Sequence, residues 1–284
     1  MSQELTGAPV AQAVMEGLRP RIAALVRDGV SPKLAIVRVG ERSGDLSYER
    51  GACKRCSSLG IEVEKIVLPG DTPQIQLEHA IECVSGDGSV HGCLLLRPLP
   101  RTLDERRVAF LLSVEKDVDC LTDGSLAGVF AGRPAGFPPC TAEAVVLMLE
   151  HYGCGLRGAD VVVVGRSLVI GRPVAMMLQA RNATVTMCHT KTHGLAEKCR
   201  AADVLVVAAG HARIVGADFV RDGQTVIDVG INRDEVTGKL CGDVDYDTVA
   251  PIVSAISPVP RGVGSVTTAV LAKHVIEAAE RSCA

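Results

Sequence analysis

Residues 161–173 read Val-Val-Val-Val-Gly-Arg-Ser-Leu-Val-Ile-Gly-Arg-Pro. An apolar run passes straight into Gly165, and a helix is expected to start near Gly171. A strand, turn and helix in this order can hold a phosphate, because glycines let the backbone come close and the N–H groups at the helix start face the anion. The spacing is not GxGxxG, so an ordinary strand-to-helix turn stays open as the alternative. The next apolar run, 183–187, ends in Cys188-His189-Thr190-Lys191-Thr192. A site for NAD places an acid about 20 residues on, bonded to the ribose 2′-hydroxyl. Here that place holds hydroxyls and bases, and Arg166 and Ser167 stand in the first turn. The set suits the extra 2′-phosphate of NADP; a solvated strand end is the competing reading. Two later runs end at Ala209-Gly210 and around Gly230-Ile231, at positions that would line a nicotinamide.

These residues need rigid elements to carry them. Short apolar runs at 34–39, 61–67, 92–96, 161–164, 183–187, 204–208, 225–229 and 252–256 alternate with stretches of helical spacing at 11–26, 73–84, 141–152, 172–179 and 267–280. Such alternation predicts α/β architecture with parallel sheets built from βαβ units. A Gly/Pro-rich stretch at 131–139 has no periodicity and reads as a crossing loop. The layout expected is a Rossmann-like NADP domain at 141–266 and an α/β substrate domain made of 1–140 plus 267–284, with the active-site cleft between them.

The bulk composition narrows the function. The 284 residues are 47% apolar and only 2% aromatic, with no Trp, so the cores must be aliphatic. Thirty-three acids against thirty bases give a net charge of -3, which offers nothing to nucleic acid or to an anionic membrane surface. Eleven scattered cysteines, an odd count, suit a reducing cytosol better than a disulfide scaffold. The first residues lack the basic and apolar stretches of a leader, and a cytoplasmic protein is expected. Cys53 and Cys56 form one CxxC without a second pair to complete a zinc site, so two helix thiols are the reading preferred. Asp243 and Asp245 have no third ligand beside them and read as a turn.

Several segments in fixed order carry a resemblance: LAIVRVG, Tyr48, HGCLLLRPLP, KDVD at 116–119, PPCT at 138–141, VVVVGRSLVIGRP, ATVTMCHTKT, ADVLVVAAG, TVIDVGIN, GDVDY and PVPRGVG. Together they resemble the bifunctional methylenetetrahydrofolate dehydrogenase/methenyltetrahydrofolate cyclohydrolase family over nearly the whole chain. The resemblance implies a one-carbon enzyme, usually a homodimer. It implies oxidation of 5,10-methylenetetrahydrofolate and then hydrolysis to 10-formyltetrahydrofolate. Arg166, Ser167 and Thr190 match the family's phosphate contacts, and Gly165, Ile170, Gly171, Gly210 and Ile231 its cofactor shell; His189 and Ala209 stand beside these positions. Tyr48 matches the tyrosine of the folate pocket and Asp119 the acid that holds the pterin; the two are the candidate catalytic residues. The segment 258–267, with Pro260, Arg261, Gly262 and Thr267, matches the loop over the substrate.

The departures from the pattern cluster in the pocket. The family's catalytic lysine, four residues after its tyrosine, is Ala52 here. Its glutamine before the Leu-Pro-Leu-Pro run is Leu96, and Arg97 stands where leucine is usual. Cys120, Asp45, Ser265 and Val266 replace a glycine, a serine, a proline and a methionine, and Arg261 replaces a glycine. On a helix, Lys54 would be rotated about 200° from position 52, while Arg55 would return to the face of Tyr48 but stay protonated. Three readings follow: a dehydrogenase with weak or lost cyclohydrolase activity, an NADP-dependent oxidoreductase for a different and anionic substrate, or a non-catalytic cofactor-binding relative.

Overall fold

The computed structural model describes residues 2–234 and 237–283. In chain order the first half runs β1 (Gln3–Glu4), α1 (Gly7–Arg27), β2 (Lys33–Val39), α2 (Ser43–Leu59), β3 (Glu62–Leu68), α3 (Gln74–Gly86), β4 (Gly92–Leu95), α4 (Glu105–Ala109) and α5 (Asp123–Ala131). The second half runs α6 (Cys140–His151), β5 (Asp160–Val164), α7 (Gly171–Gln179), β6 (Thr184–Cys188), α8 (Leu195–Ala201), β7 (Val204–Val207), β8 (Thr225–Asp228), β9 (Asn232–Arg233), β10 (Leu240–Cys241), α9 (Tyr246–Val249), β11 (Ala255–Ile256) and α10 (Thr267–Ser282). The chain divides into two compact units, Met1–Gln12 with Thr141–Thr267, and Ala13–Cys140 with Thr268–Ala284. The first twelve residues go with 141–267, not with 13–140 as the sequence layout has them. The reason is a hydrogen-bonded pairing: Gln3 and Glu4 lie parallel to Ala255 and Ile256. A two-residue strand has no periodicity to read, so only its partner reveals it.

The first unit holds a six-stranded parallel sheet in the order β1-β11-β8-β7-β5-β6. Its inner strands are buried on both faces, as Val161–Val164 and Val204–Val207 show, and so they read as unbroken apolar runs. The edge strand β6 instead leaves Thr184, Thr186 and Met187 exposed and buries only Cys188. Val164, Leu205, Val207, Val226 and Ile256 meet in one apolar cluster. The second unit holds a three-stranded parallel sheet in the order β3-β2-β4, covered by a cluster that includes Val37, Leu77, Ile81 and Leu95. No helix among the described residues is long and apolar enough to cross a membrane.

Helix α2 carries Tyr48. Its buried residues are Asp45, Glu49, Ala52, Cys56 and Leu59, spaced three or four apart as one helical stripe. Two of the five are acids, so apolar periodicity alone does not find this helix. Each acid has a partner. Asp45 accepts two hydrogen bonds from Arg42 at 2.9 Å. Glu49 lies 2.9 Å from Arg38 Nε and 3.0 Å from Lys65 Nζ, and so ties α2 to β2 and β3. Burial pushes the Glu49 carboxyl up, but the Arg38 and Lys65 hydrogen bonds outweigh it and hold the group below its ordinary value.

Removing Glu49 would strand Arg38, whose side chain is only 7% exposed. Glu49→Ala is expected to cost about 3–5 kcal/mol in urea unfolding, the range for an orphaned buried charge. Because the folded acid is held below its unfolded value, its stabilisation is present at neutral pH and is lost as pH falls through the folded value. The difference between Glu49→Ala and wild type should therefore shrink in acid.

Candidate active site

In the first unit, the chain leaves β5, visits β6 on one side, and returns to β7 on the other. This reversal is the switch point at which open α/β sheets bind ligands. The turn after β5 is drawn tightly across it. Gly165 has φ +152, and a Cβ there would lie 2.3 Å from the Ala208 oxygen at the end of β7. A Cβ on Gly171 would lie 2.3 Å from the Gly165 oxygen. Neither position has room for a side chain, which explains the two glycines better than any fingerprint spacing.

Arg166 and Ser167 are exposed on this turn, and Thr190 is exposed just beyond β6. The two strand ends are joined by Gly165 N–H donating to the Cys188 oxygen at 2.9 Å. His189 Nδ1 accepts the Lys191 N–H at 3.1 Å, which leaves the proton of the neutral ring on Nε2. A guanidinium, two hydroxyls and an imidazole thus share one strand-end region, with no acid at 189–192. One expectation changes. The Ser167 hydroxyl accepts the N–H of Ile170 at 3.1 Å and of Gly171 at 3.4 Å. The first N–H groups of α7 are therefore already partnered, and an anion binding there competes with the Ser167 hydroxyl.

Deeper in the same unit, two buried acids build a frame that the sequence reading missed. Asp228, at the end of β8, accepts N–H bonds from Gly230 at 2.9 Å, Asp243 at 3.0 Å and Val244 at 2.9 Å. Burial pushes its carboxyl up to about 6 against the pull of those three donors. Asp243 accepts the Gly210 N–H at 2.8 Å and the Asn232 side-chain amide at 2.8 Å. Asp243 is therefore a fully enclosed brace and not just part of a turn. The signal for Asp228 in the sequence is an acid inside apolar strand residues, Val226-Ile-Asp-Val229, since a buried acid needs partners.

Beside this frame lies a cavity of about 260 Å³, bordered by Gly230, Ile231, Leu240, Pro260, Arg261 and Gly262. It joins residues expected to face a nicotinamide with residues expected to cover a substrate. Thr267, with its hydroxyl donating to the Gly264 oxygen at 3.2 Å, closes the loop and begins α10. Arg261 sits at φ +86, a conformation that suits the glycine of the resembling family. A long cation in place of that glycine takes up space over the substrate if it turns inward. In the structure Nη2 donates to Glu4 Oε1 at 2.8 Å, and the side chain is 68% exposed. The Gly7 N–H donates to the Arg261 oxygen at 2.7 Å, so the N-terminal segment fixes this corner of the loop.

The second unit carries the other candidates. Tyr48 is half-buried on α2, and Ala52 one turn later is fully buried. Lys54 is exposed, as the helical rotation requires. Arg55 donates to the Thr268 hydroxyl at 3.5 Å. Leu96 is buried, its N–H bonded to the Val37 oxygen at 2.9 Å, and its side chain belongs to the core. A substrate-contacting role for Leu96 is thus limited to apolar contact. Asp119 is half-buried and accepts the Cys140 N–H at 2.9 Å. Burial raises its carboxyl above the ordinary value, with Arg97 and Cys140 pulling the other way. Among the described residues no group of three or more His, Cys, Asp or Glu is placed to hold a metal ion.

Residues 5–119 match the family model for the tetrahydrofolate dehydrogenase/cyclohydrolase catalytic domain, and residues 139–283 match that for its NAD(P)-binding domain. The chain belongs to the tetrahydrofolate dehydrogenase/cyclohydrolase family. It is 52% identical over 281 residues to the bifunctional protein FolD of Carboxydothermus hydrogenoformans, covering 99% of this chain and 98% of that one. Among solved structures, the bifunctional FolD of Campylobacter jejuni superposes with a TM-score of 0.95 at 35% identity, covering 99% of each chain. The Trypanosoma brucei FolD, solved with NADP cofactor and an inhibitor, gives 0.93 at 32% identity and covers 99% of this chain and 98% of that one. These family relations fit the six-stranded parallel sheet with its glycine turn and the second α/β unit with its three-stranded sheet.

The brace can be tested alone. Asp243→Ala should leave the Gly210 N–H and the Asn232 amide without their acceptor and cost about 1–3 kcal/mol. Thermal unfolding reads the cost, and hydrogen exchange at the Gly210 amide should accelerate. Unchanged exchange at Gly210 would deny Asp243 this role.

Proposed function

We propose that this chain is an NADP-dependent dehydrogenase that oxidises 5,10-methylenetetrahydrofolate to 5,10-methenyltetrahydrofolate, with cyclohydrolase activity weak or lost. The observation that carries the reading is the cavity in which Gly230 and Ile231 meet Pro260, Arg261 and Gly262. NADP supplies the hydride acceptor. The residues fit it: Arg166, Ser167, His189 and Thr190 offer positive charge and hydroxyls to a 2′-phosphate, and Gly165 and Gly171 let the turn between β5 and α7 fold tightly enough to seat a pyrophosphate. Gly210, Gly230 and Ile231 hold the ring end, with Ala209 and Ile170 completing the shell.

Losing a hydride from the methylene bridge leaves an amidinium cation spread over two nitrogens. The protein then has to position the substrate and does little proton transfer. Hydrolysis of the methenyl form adds water and breaks a C–N bond, so protons must move. General acid–base help in such a step is worth about 10²–10⁴-fold. Ala52 has no group to give that help, Lys54 is exposed, and Arg55 is engaged by Thr268. Tyr48 and Asp119 remain to bind and orient the reduced folate. The Glu4–Arg261 pair weakens the case for an anionic substrate, because the guanidinium already has a partner. Homodimer assembly and a cytosolic location complete the reading; the eleven free thiols suit a reducing compartment.

Purified protein mixed with 5,10-methylenetetrahydrofolate and NADP⁺ should produce reduced nicotinamide and the methenyl form in equal amounts, with the methenyl form persisting. NAD⁺ should serve less well, and Arg166→Ala should narrow that preference. Ala52→Lys should raise methenyl hydrolysis, within a ceiling of about 10²–10⁴-fold. Rapid hydrolysis by the wild type would refute the loss of cyclohydrolase activity. Arg261→Gly should leave the KM for methylenetetrahydrofolate little changed; a fall of about tenfold, near 1.4 kcal/mol, would show that Arg261 does obstruct the pocket.

A further inference from the structure

Nothing in the sequence spacing joins Arg97 to Asp119, yet the fold brings them together. Strand β4 ends at Leu95, and Arg97 follows at the carboxyl edge of the three-stranded sheet. Asp117 forms a parallel bridge with Cys93 on β4, which carries residues 117–119 along β4 toward the same edge. There Arg97 Nη2 donates to the main-chain oxygen of Asp119 at 3.3 Å and lies 3.8 Å from its Oδ2. Arg97 Nη1 lies 3.3 Å from Glu105 Oε1, which steadies the guanidinium from the other side. The Cys140 N–H takes Asp119 Oδ1 at 2.9 Å. One carboxylate oxygen therefore has a fixed N–H donor and the other a fixed cation, and the Cys140 side chain adds a further hydrogen bond to the carboxyl. The side chains are 16% and 25% exposed, so solvent screens the pair only in part.

We infer that Arg97 is a positioning residue. It grips Asp119 by main chain and side chain at once and keeps it as an aimed carboxylate for the adjacent N–H donors of an amino-pyrimidinone ring. The inference rests on the folate reading above. Arg97 does not act on the reacting carbon, and its guanidinium never gives up its proton. It supplies a stationary charge to a pocket that has no lysine at position 52. The groups facing Asp119 set the balance. Burial and the nearby Asp117 favour the neutral acid, whereas Arg97 and the Cys140 N–H favour the anion. The Cys120 thiol adjoins it, and its own ionisation is suppressed by burial and by both acids. His274 of α10 contacts Cys140 and the Val118 oxygen.

The test compares wild type with Arg97→Lys, Arg97→Gln and Arg97→Leu. Two readouts are taken in each: the acid limb of kcat/KM for methylenetetrahydrofolate, and a carbon-13 NMR titration of the Asp119 carboxyl, assigned with Asp119→Asn. Loss of a cation at this range should move the Asp119 midpoint up by about one pH unit or more. At a fixed pH below the midpoint that means about a tenfold loss of kcat/KM. Arg97→Gln and Arg97→Leu should move both readouts together, largely through KM, and Arg97→Lys, which keeps a cation, should hold the midpoint close to the wild-type value. A purely structural role would lower the unfolding temperature and leave the midpoint in place; an unmoved midpoint in folded Arg97→Gln overturns the inference. A midpoint that moves in a protein whose wild type never oxidises methylenetetrahydrofolate would instead support the Arg97 grip and overturn the folate reading.

Discussion

A carboxylate buried without partners costs more than a domain can spare, so buried acids constrain the groups placed around them. Asp228 and Asp243 are the clearest case. Between them they accept the N–H groups of Gly210, Gly230, Asp243 and Val244 and the amide of Asn232. Those donors come from the segments after β7, after β8 and after β10. Three separate strand ends are thereby set at one edge of the sheet, next to the cavity that the loop 258–267 borders. Gly230 and Gly242 follow from the same constraint, since a Cβ at either would lie 2.4 Å or less from one of the two acids. The site's shape thus rests on satisfied carboxylates more than on the residues that would touch ligand.

The same rule explains the placement of charge in the second unit. Glu49 is answered by Arg38 and Lys65, and Asp45 by Arg42. These pairs orient α2 and hence Tyr48. Lys65 reaches Glu49, which lies on the same buried stripe of α2 as Ala52, about 60° round the helix from it. It braces the helix through its ion pair with Glu49. Arg97 and Asp119 repeat the pattern at the end of β4. Position 52 lacks the cation of the family pattern and position 97 has one that the pattern lacks, and the cation at 97 is of a kind that cannot shuttle protons.

Arg261 has a partner that no local reading shows. A long cation replacing glycine in a substrate loop looks obstructive, and its φ of +86 is costly for a side chain. Its guanidinium is nevertheless taken up by Glu4, a residue 257 positions earlier. The partner strand is two residues long and carries no pattern of its own. Without β1 laid along β11, the arginine has no visible reason to leave the loop.

The sequence by itself determined the alternating α/β order, the strand, turn and helix around Gly165 and Gly171, the basic and hydroxyl character of 189–192, and the family. Each is written in residues close together in the chain, where side-chain period and backbone allowance act locally. It also exposed the missing lysine at Ala52, because a pattern with fixed spacing shows its own gaps. Only the tertiary structure decided that Ser167 partners the first N–H groups of α7, that Asp228 and Asp243 form one brace, that Arg261 answers Glu4, and that Arg97 holds Asp119. All but the first join residues far apart in sequence. The physical reason is that a charge or N–H group is satisfied by whichever partner the packed strands bring within hydrogen-bond reach, and sequence separation does not encode that reach.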